Sequence, residues 1–323
     1  MTQQTQSIFT RPAWVVIFAL TAAMVWGWAY PLIKLGFREF EITADMTASK
    51  MLFAGIRFCI SGLIILSIAK LTHRDFSLKK TSERRIYTWL YLLLFALLNT
   101  TIHYAFFYFG LSHSEGARAA IINSMGVFAT VILACMFFKS DKFTARKIIG
   151  CVIGFLGILS LNLGGVESGR FTWLGDGMIM LNALCSAGAS LMTRGVGQRI
   201  DVFIGTGISL GMGGALLILP ALFLGGTLQT TTLWGVTILM LLIGISTIIV
   251  CLLLLIAIST LGFTLYNKLL TCNPVGKVAI YNSLIPVIGT LSSCLCLGET
   301  FYWKYIIAGT LATSGIYIIN KGK

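Results

Sequence analysis

The sequence is poor in charge, and this shortage excludes most soluble folds. Only 11% of its 323 residues are Asp, Glu, Lys or Arg, whereas about a quarter are charged in an ordinary globular domain. No charged residue occurs between Val202 and Asn267, and 57% of the chain is hydrophobic. Charge-free runs of this length fit membrane spans of roughly 20 residues each. The composition therefore predicts an all-α integral membrane protein whose surroundings are the lipid bilayer.

Motifs for nucleotide-driven or hydrolytic chemistry are also missing. The chain contains no P-loop, no H-E-x-x-H and no G-x-S-x-G, so we expect no catalytic residues, no metal, no cofactor and no ATP-driven transport by this chain alone. The eight cysteines fall mostly inside apolar runs and lack the spacing of a disulfide framework or a zinc pair. The net charge of +13 comes from short loops rather than one basic face, so no nucleic acid is expected as a partner.

Ten apolar segments predict ten transmembrane helices. Their approximate positions are 13–35, 47–69, 87–110, 117–138, 146–163, 172–193, 202–223, 243–267, 275–297 and 303–320. The eighth follows an apolar stretch within 225–245, so that helix is long or an interfacial segment precedes it. Alternate loops differ in charge, with seventeen Lys and Arg on the side of both termini and six on the other. Because cytoplasmic loops carry an excess of basic residues, we predict a cell (inner) membrane protein with both termini in the cytoplasm.

An internal duplication relates the two halves of the chain. Glu115–Asp141 and Pro274–Glu299 share the motif A-I-x-N-S, and each segment has a basic residue near its start and an acidic residue at its end. We therefore divide the chain into a first five-helix repeat at 1–165 and a second at 170–323. Five spans is an odd number, so the second repeat is inverted relative to the first. Inverted repeats are typical of secondary transporters, which hold substrate near the bilayer midplane at the repeat interface.

Several short motifs in order along the chain carry a family resemblance. They are W-G-W-A-Y-P at Trp26–Pro31, I-R-F at Ile56–Phe58, Leu265-Tyr266-Asn267, Pro286 and Leu297-Gly298-Glu299. On these residues the chain resembles a ten-span transporter of the drug/metabolite transporter (DMT) superfamily with two EamA-type domains. The resemblance implies transport of small metabolites, often the export of amino acids or related compounds. The first half departs from the family pattern, because Gly126-Val127 stands where a proline is expected.

Polar residues recur at helical spacing inside the predicted spans, where lipid cannot satisfy them. They form hydrogen bonds between helices or line a hydrated cavity, and their presence in both halves favours the cavity. Arg57 lies about ten residues into the second span, where it binds the carboxylate of an amino-acid-like substrate or anchors helix-end carbonyls. His103 carries a proton or is a buried hydrogen-bonding group. The residues predicted to bind substrate in a central cavity are Trp26, Trp28, Arg57, His103, Asn123, Asn182, Ser186, Tyr266, Asn282 and Ser283.

Three further residues are assigned structural roles. Pro286 is expected to break the ninth span, and Asp141 and Glu299 are expected to cap the helices that follow them, the fifth and tenth spans. Small-residue faces in those two spans serve internal packing or a homodimer contact. No carboxylate lies in the middle third of any predicted span. Ion coupling therefore runs through His103 or a less obvious group, or transport is facilitative.

Together these features predict a secondary transporter that is not an enzyme. It would export small metabolites such as amino acids by alternating access, with direction and substrate class implied by the resemblance. Two alternatives stay open: a membrane-embedded enzyme acting on lipid-linked substrates, and a non-transporting scaffold. The enzyme would need acidic or histidine side chains clustered near one membrane face, whereas the eleven carboxylates are dispersed along the sequence.

Overall fold

The protein is all-helical in the part of the chain that the structure describes. This computed structural model describes residues 8–79, 85–137, 143–160, 171–228, 238–273, 278 and 280–320, with the backbone alone at 238–249, 280, 283 and 320. Within these ranges the α-helices, in chain order, are α1 Pro12–Glu39, α2 Thr47–Leu71, α3 Arg85–Ala96, α4 Ile102–Ser112, α5 Gly116–Asn123, α6 Met125–Phe137, α7 Ala145–Ser160, α8 Met178–Arg199, α9 Val202–Phe223, α10 Ile238–Cys272, α11 Leu284–Leu297 and α12 Trp303–Asn320. Two π-helical segments, Leu97–Thr101 and Trp173–Gly177, precede α4 and α8, and a 3₁₀ turn, Ile280–Ser283, precedes α11.

These elements group into ten helical spans, as the composition predicted. Seven stretches among the described residues are long and apolar enough to cross a membrane: Pro12–Glu39, Thr47–Leu71, Arg85–Ser112, Gly116–Phe137, Trp173–Arg199, Val202–Phe223 and Val250–Cys272. The shorter helices α7, α11 and α12 supply the other three spans. Helix α10 is 35 residues long, so the eighth span is a long helix. The all-α, ten-span membrane architecture is therefore confirmed.

Local sequence explains where several helices begin or end. Pro12 occupies the first turn of α1, where its missing N–H is not needed and its fixed φ suits a helix. Asp201 caps α9, because its carboxylate accepts hydrogen bonds from the backbone N–H of Phe203 at 2.8 Å and of Ile204 at 3.4 Å. A glycine in the left-handed region, Gly298 with φ 66°, follows the end of α11. The chain thus marks its turns with residues suited to each geometry.

The packing of the spans follows the inverted repeat. Helix α1 of the first half packs against α10 and α11 of the second, and α8 of the second half packs correspondingly against α4 and α6 of the first. The two remaining large interfaces join equivalent spans, α2 with α9 and α7 with α12. Each half therefore buries its apolar surface mainly against the other half.

Small residues make the closest of these interfaces possible. A Cβ added to Gly62 of α2 would lie 2.6 Å from the Cα of Gly211 in α9, and one added to Gly150 of α7 would lie 2.5 Å from the carbonyl oxygen of Gly315 in α12. Helix backbones approach this closely only where side chains are absent. The small-residue faces of the fifth and tenth spans thus serve internal packing. A homodimer stays a prediction that these contacts do not test.

Two ends of the helical bundle are distinguished below. The terminus face holds the start of α1, and hydrogen bonds connect its loops, such as Asn273 Nδ2 to the Phe9 carbonyl at 2.9 Å and Arg74 Nη1 to Asp201 Oδ2 at 3.1 Å. The distal face holds the end of α1 and the start of α5 and α12.

Candidate functional site

Both segments that carry A-I-x-N-S depart from regular α-helix at the motif. In the first half, α5 ends at Asn123 and α6 starts at Met125, with Ser124 between them. The Ser124 hydroxyl donates to the Ile121 carbonyl at 2.6 Å and so replaces a helical partner. In the second half, the 3₁₀ turn Ile280–Ser283 occupies the same place in the motif. Broken helices of this kind place backbone and polar side chains at a midplane site in transporters.

A polar cavity of about 120 Å³ lies between these two interruptions. It is lined from both halves, because α1, α4, α6, α8, α10 and α11 each contribute side chains. The lining residues include Trp26, Tyr30, Arg57, Asn99, His103, Tyr104, Phe107, Asn123, Ser124, Ser186, Phe263, Tyr266, Asn267, Asn282 and Pro286. Asn99 comes from the π-helical segment before α4, and Arg57 from α2.

Hydrogen bonds between asparagine and tyrosine side chains organise the cavity wall. Asn182 Nδ2 donates to Asn123 Oδ1 at 2.6 Å, and Asn123 Nδ2 donates to the Tyr30 hydroxyl at 2.8 Å. In the second half Asn282 Nδ2 donates to the Tyr266 hydroxyl at 2.9 Å. The two repeat-equivalent asparagines thus each bond to a tyrosine of their own half, on its first span for Asn123 and on its third span for Asn282. Asn123 in addition joins a helix from the other half through Asn182.

Arg57 is the fixed charge of this cavity. Its side chain is 1% exposed and lies in the middle of α2. Nε donates to the Leu255 carbonyl at 3.0 Å and to the Ser259 hydroxyl at 2.8 Å, and Nη1 donates to the Tyr108 hydroxyl at 2.7 Å. These hydrogen bonds connect α2 to α10 and α4. They support the interpretation of Arg57 as a structural anchor. Because Arg57 also lines the cavity, the ligand interpretation stays open.

Aromatic rings form much of the remaining wall. The Trp26 ring makes edge-on contacts with Phe263 and Tyr266, at centroid distances of 5.5 and 5.0 Å. Trp26 Nε1 and His103 Nδ1 are buried and have no hydrogen-bond partner among the described residues. Buried polar atoms of this kind are rare unless a ligand or water bonds to them. The wall therefore offers apolar faces together with unused polar atoms.

The structure places most of the sequence-predicted residues together, with exceptions. Trp28 lies outside the cavity with 43% of its surface exposed, so its assignment as a cavity residue is wrong. The reason is helical geometry, because residues two apart point about 200° apart, and Trp26 takes the inward direction. Asn182 is buried behind the wall and reaches the site through Asn123. The side chain of Ser283 lies outside the described residues.

The structural predictions also need correction. Pro286 lines the cavity from the first turn of α11, so the interruption precedes the proline rather than following from it. The first half has its break without any proline. Asp141 lies outside the described residues.

Glu299 caps a helix, but not the one that the sequence predicted. Its two carboxylate oxygens accept from the backbone N–H of Gly116 at 2.8 Å and of Ala117 at 2.9 Å, at the start of α5 in the other half. Lys34 Nζ of α1 donates to the same carboxylate at 3.0 Å. The capping role for α12 is thus overturned by these contacts. The group instead joins three helices from both halves at the distal face.

A second ionic contact crosses between the halves next to this cap. Arg118 of α5 binds Asp176 of the π-helical segment before α8, with Nε to Oδ1 at 2.9 Å and Nη2 to Oδ2 at 2.7 Å. Their side chains are 6% and 2% exposed. Tyr305 of α12 donates its hydroxyl to Glu115. Sequence reasoning missed this cluster, because partners 58 and 190 positions apart leave no local pattern.

The fold and the site together define a class of protein. Ten spans in two inverted halves share a polar cavity at two broken helices, which is the architecture of a multi-pass membrane transporter. The family model of the EamA-like transporter family matches residues 13–163 and 173–321. The chain belongs to that family, within the DMT superfamily, and the resemblance stated from its motifs is confirmed.

Individual relatives are similar along most of their length. The chain is 25% identical over 316 residues to the "Uncharacterized transporter YvbV" of Bacillus subtilis (strain 168), covering 96% of this chain and 92% of that one. It is 23% identical over 305 residues to the "Probable amino-acid metabolite efflux pump" of Salmonella typhimurium, covering 93% and 92%. A crystal structure matches with a TM-score of 0.62 at 14% identity, covering 95% and 96% of the two chains, and supports the fold alone.

Proposed function

We propose that this protein is a secondary transporter that exports small metabolites such as amino acids across the cell (inner) membrane by alternating access. The Salmonella relative named as an amino-acid metabolite efflux pump supports this substrate class. The observation that carries the proposal is the cavity itself, because both halves line it at their paired helix interruptions. Rocking of the halves about such a site would expose it to each side in turn.

The contacts at the distal face support a closed outer end. Above the cavity α5 and α11 approach so closely that a Cβ added to Gly116 would lie 2.6 Å from Ser293 Oγ. Glu299 bridges the same two helices to Lys34, and Arg118 pairs with Asp176 beside them. In our proposal this layer separates the cavity from the outside and must open during each cycle.

The orientation rests on the loop charges. The terminus face carries most of the basic residues, so we place both termini and this face in the cytoplasm. The distal face is then external. A cavity closed on the external side is ready to load cargo from the cytoplasm, in keeping with export.

The enzyme alternative draws no support from the site. Three carboxylates do meet near the start of α5, although the sequence disperses them. Each has a partner: Glu115 is bonded by Tyr305, Asp176 by Arg118 and Glu299 by Lys34 and two backbone N–H groups. No Asp or Glu is among the described residues of the cavity wall. We therefore propose transport rather than catalysis.

Transport by purified protein tests the proposal. Proteoliposomes and empty liposomes would be loaded with a panel of radiolabelled amino acids and metabolites, and efflux would be timed. We expect at least one compound to leave the proteoliposomes faster, and Asn282→Ala to slow it. Asn273→Ala is the matched control, because Asn273 bonds to Phe9 and Leu269 at the terminus face. Equal efflux from both liposome types across a broad panel would refute the proposal.

A further inference from the structure

The charge inside the cavity points to a substrate class and to an energy source. Arg57 carries a permanent positive charge, and its described protein contacts are all neutral: one carbonyl and two hydroxyls. They engage Nε–H and one N–H of Nη1, whereas a guanidinium has five N–H donors. Since the side chain lines the cavity, the other donors are available to a bound molecule.

Among the described residues, no Asp or Glu forms an ion pair or hydrogen bond with Arg57. The described residues of the cavity wall include aromatic, amide and hydroxyl groups and one histidine, but no Asp or Glu. Two carboxylates of the distal layer have basic partners of their own, Glu299 with Lys34 and Asp176 with Arg118. A cation at this depth in a membrane protein normally has a charged partner or marks a path for charged cargo. Arg57 is thus the one charged side chain among the described residues of the wall, which favours an anion and disfavours a cation.

The wall around Arg57 also indicates the rest of the ligand. Its guanidinium carbon lies 4.8 Å from the Phe58 ring centroid, and the Phe58 and Tyr104 rings are 4.2 Å apart. Tyr104 continues into the aromatic wall with Phe107 and Phe263 at 5.8 and 6.1 Å. A carboxylate at Arg57 would place an attached apolar or aromatic body against these rings.

We propose that the cargo is a small organic monoanion with an apolar body, bound by its carboxylate at Arg57, and that the membrane potential drives its export. This inference rests on the proposed function and narrows its cargo from amino acids, which are zwitterions when the side chain is apolar, to related metabolites with a net negative charge. The loaded carrier moves one negative charge outward in each cycle, whereas the empty carrier returns with Arg57 still near mid-membrane. No proton or sodium ion takes part. A potential that is negative inside pushes an anion outward, by tenfold in its equilibrium ratio for each 59 mV or so.

This scheme explains why the part of the cavity wall that the structure describes contains no Asp or Glu. Proton- or sodium-coupled carriers keep an acidic group at depth to bind the coupling ion, and such a group here would neutralise Arg57. His103 is the remaining titratable candidate, with Tyr104 as its ring neighbour at 4.4 Å. In a potential-driven carrier His103 is part of the wall and carries no proton across.

A charge series on one molecular body tests the inference with the wild-type protein. The probes are N-acetylphenylalanine, an anion; phenylalanine, a zwitterion; phenylalaninamide, a cation; and N-acetylphenylalaninamide, which is neutral. Efflux from proteoliposomes is measured at equal pH on both sides, with a potassium gradient and valinomycin setting the potential. We expect the anion to leave at least tenfold faster than the cation, and an inside-negative potential to accelerate the anion but not the zwitterion.

Several outcomes would overturn it. Preference for the cation, or anion efflux that ignores the potential, contradicts the proposal while leaving metabolite transport intact. Efflux that requires a pH gradient and is lost in His103→Gln points to proton coupling instead. If these four probes stay inside while another metabolite is carried, the same comparison between that metabolite and its amide decides. If no compound of any kind moves, the proposed function fails first.

Two substitutions of Arg57 distinguish an effect of its charge on transport from an effect of its side chain on folding. Arg57→Lys keeps the charge and should keep the preference for the anion, at a reduced rate. Arg57→Gln removes the charge and should reduce the ratio of anion to cation efflux at least tenfold. If Arg57→Gln does not fold, Ser259→Ala is the substitute. It removes one bond that orients the guanidinium, and should raise the half-saturating concentration for the anion more than that for the neutral probe.

Discussion

Glu299→Gln is the most informative substitution at the distal face. The glutamate holds three donors: Lys34 Nζ and the backbone N–H groups of Gly116 and Ala117, at 2.8 to 3.0 Å. Glutamine has nearly the same shape but one acceptor oxygen and no charge. It therefore keeps the packing and loses one helix cap, the favourable interaction with the helix dipole and the ion pair.

The free energy by which Glu299→Gln weakens these contacts follows from the three losses. A cap is worth about 1 kcal/mol, and an anion at a helix N-terminus about 0.3–1 kcal/mol. The ion pair with Lys34 adds little, about 0–1 kcal/mol, since the lysine side chain is 24% exposed. The sum is about 2 kcal/mol. If these contacts exist only while the distal end is closed, the variant shifts the balance toward the open state about 30-fold.

Thiol accessibility measures this shift. In a cysteine-free background, Ser124→Cys places a thiol on the cavity wall. An impermeant maleimide added outside intact cells should label it up to about 30-fold faster when Glu299→Gln is present. Asp45→Asn is the control, because this exposed acid accepts a hydrogen bond from the hydroxyl of its sequence neighbour Thr43. Lys34→Met removes the ion pair and keeps the cap, so it should accelerate labelling about fivefold or less.

Three results would contradict this reasoning. Unchanged labelling in a folded Glu299→Gln transporter would show that the cap does not hold the distal end closed. Equal acceleration by Lys34→Met would assign the closure to the ion pair rather than to the helix cap. Faster labelling from the cytoplasmic side instead would place the distal face inside the cell and reverse the proposed orientation.

The remaining predictions concern packing, the buried ion pair and the cavity wall. Gly62→Ala should destabilise the protein by about 1–3 kcal/mol in thermal unfolding, because its new methyl group meets the backbone of α9, whereas Gly309→Ala, with open space around it, should change little. Asp176→Asn breaks the buried ion pair with Arg118 and should cost about 3–5 kcal/mol in thermal unfolding; an equally large loss in the double variant with Arg118→Met would contradict this origin of the cost. Asn123→Ala removes the link between two cavity hydrogen bonds and should slow transport about tenfold at unchanged expression; full activity would exclude a role in the site.

Features with a local signature could be predicted from the sequence. Apolar run length gave the spans, and the repeated A-I-x-N-S motif pointed to Asn123 and Asn282, which line the cavity. The irregular backbone at the two motifs was not predicted, because the sequence indicated one break, at Pro286. Helical spacing alone would also have separated Trp28 from Trp26. Long runs, period and repeats are properties of neighbouring residues, and the backbone geometry of a helix converts them directly into faces and lengths.

Features set by tertiary contact could not be predicted. Glu299 lies four positions before Trp303, so a cap on α12 is the natural local expectation. Its actual partners lie 182 and 183 positions away at the start of α5. The neutral partners of Arg57 on α10 and α4 are likewise invisible in sequence, because only the packed structure decides which carbonyl and hydroxyls reach it.

The Glu299 cap has a consequence for how the two repeats relate as polypeptides. A helix that starts in the first repeat has its terminal N–H groups satisfied by a carboxylate from the second, and Arg57 of the first is held by Leu255 and Ser259 of the second. Expressed as a separate fragment, the first repeat would therefore expose an uncapped helix and an unsupported arginine inside the bilayer. The first repeat should therefore be stable only when its complementary half is made alongside it. This holds whether the gene is split or the halves are exchanged between relatives.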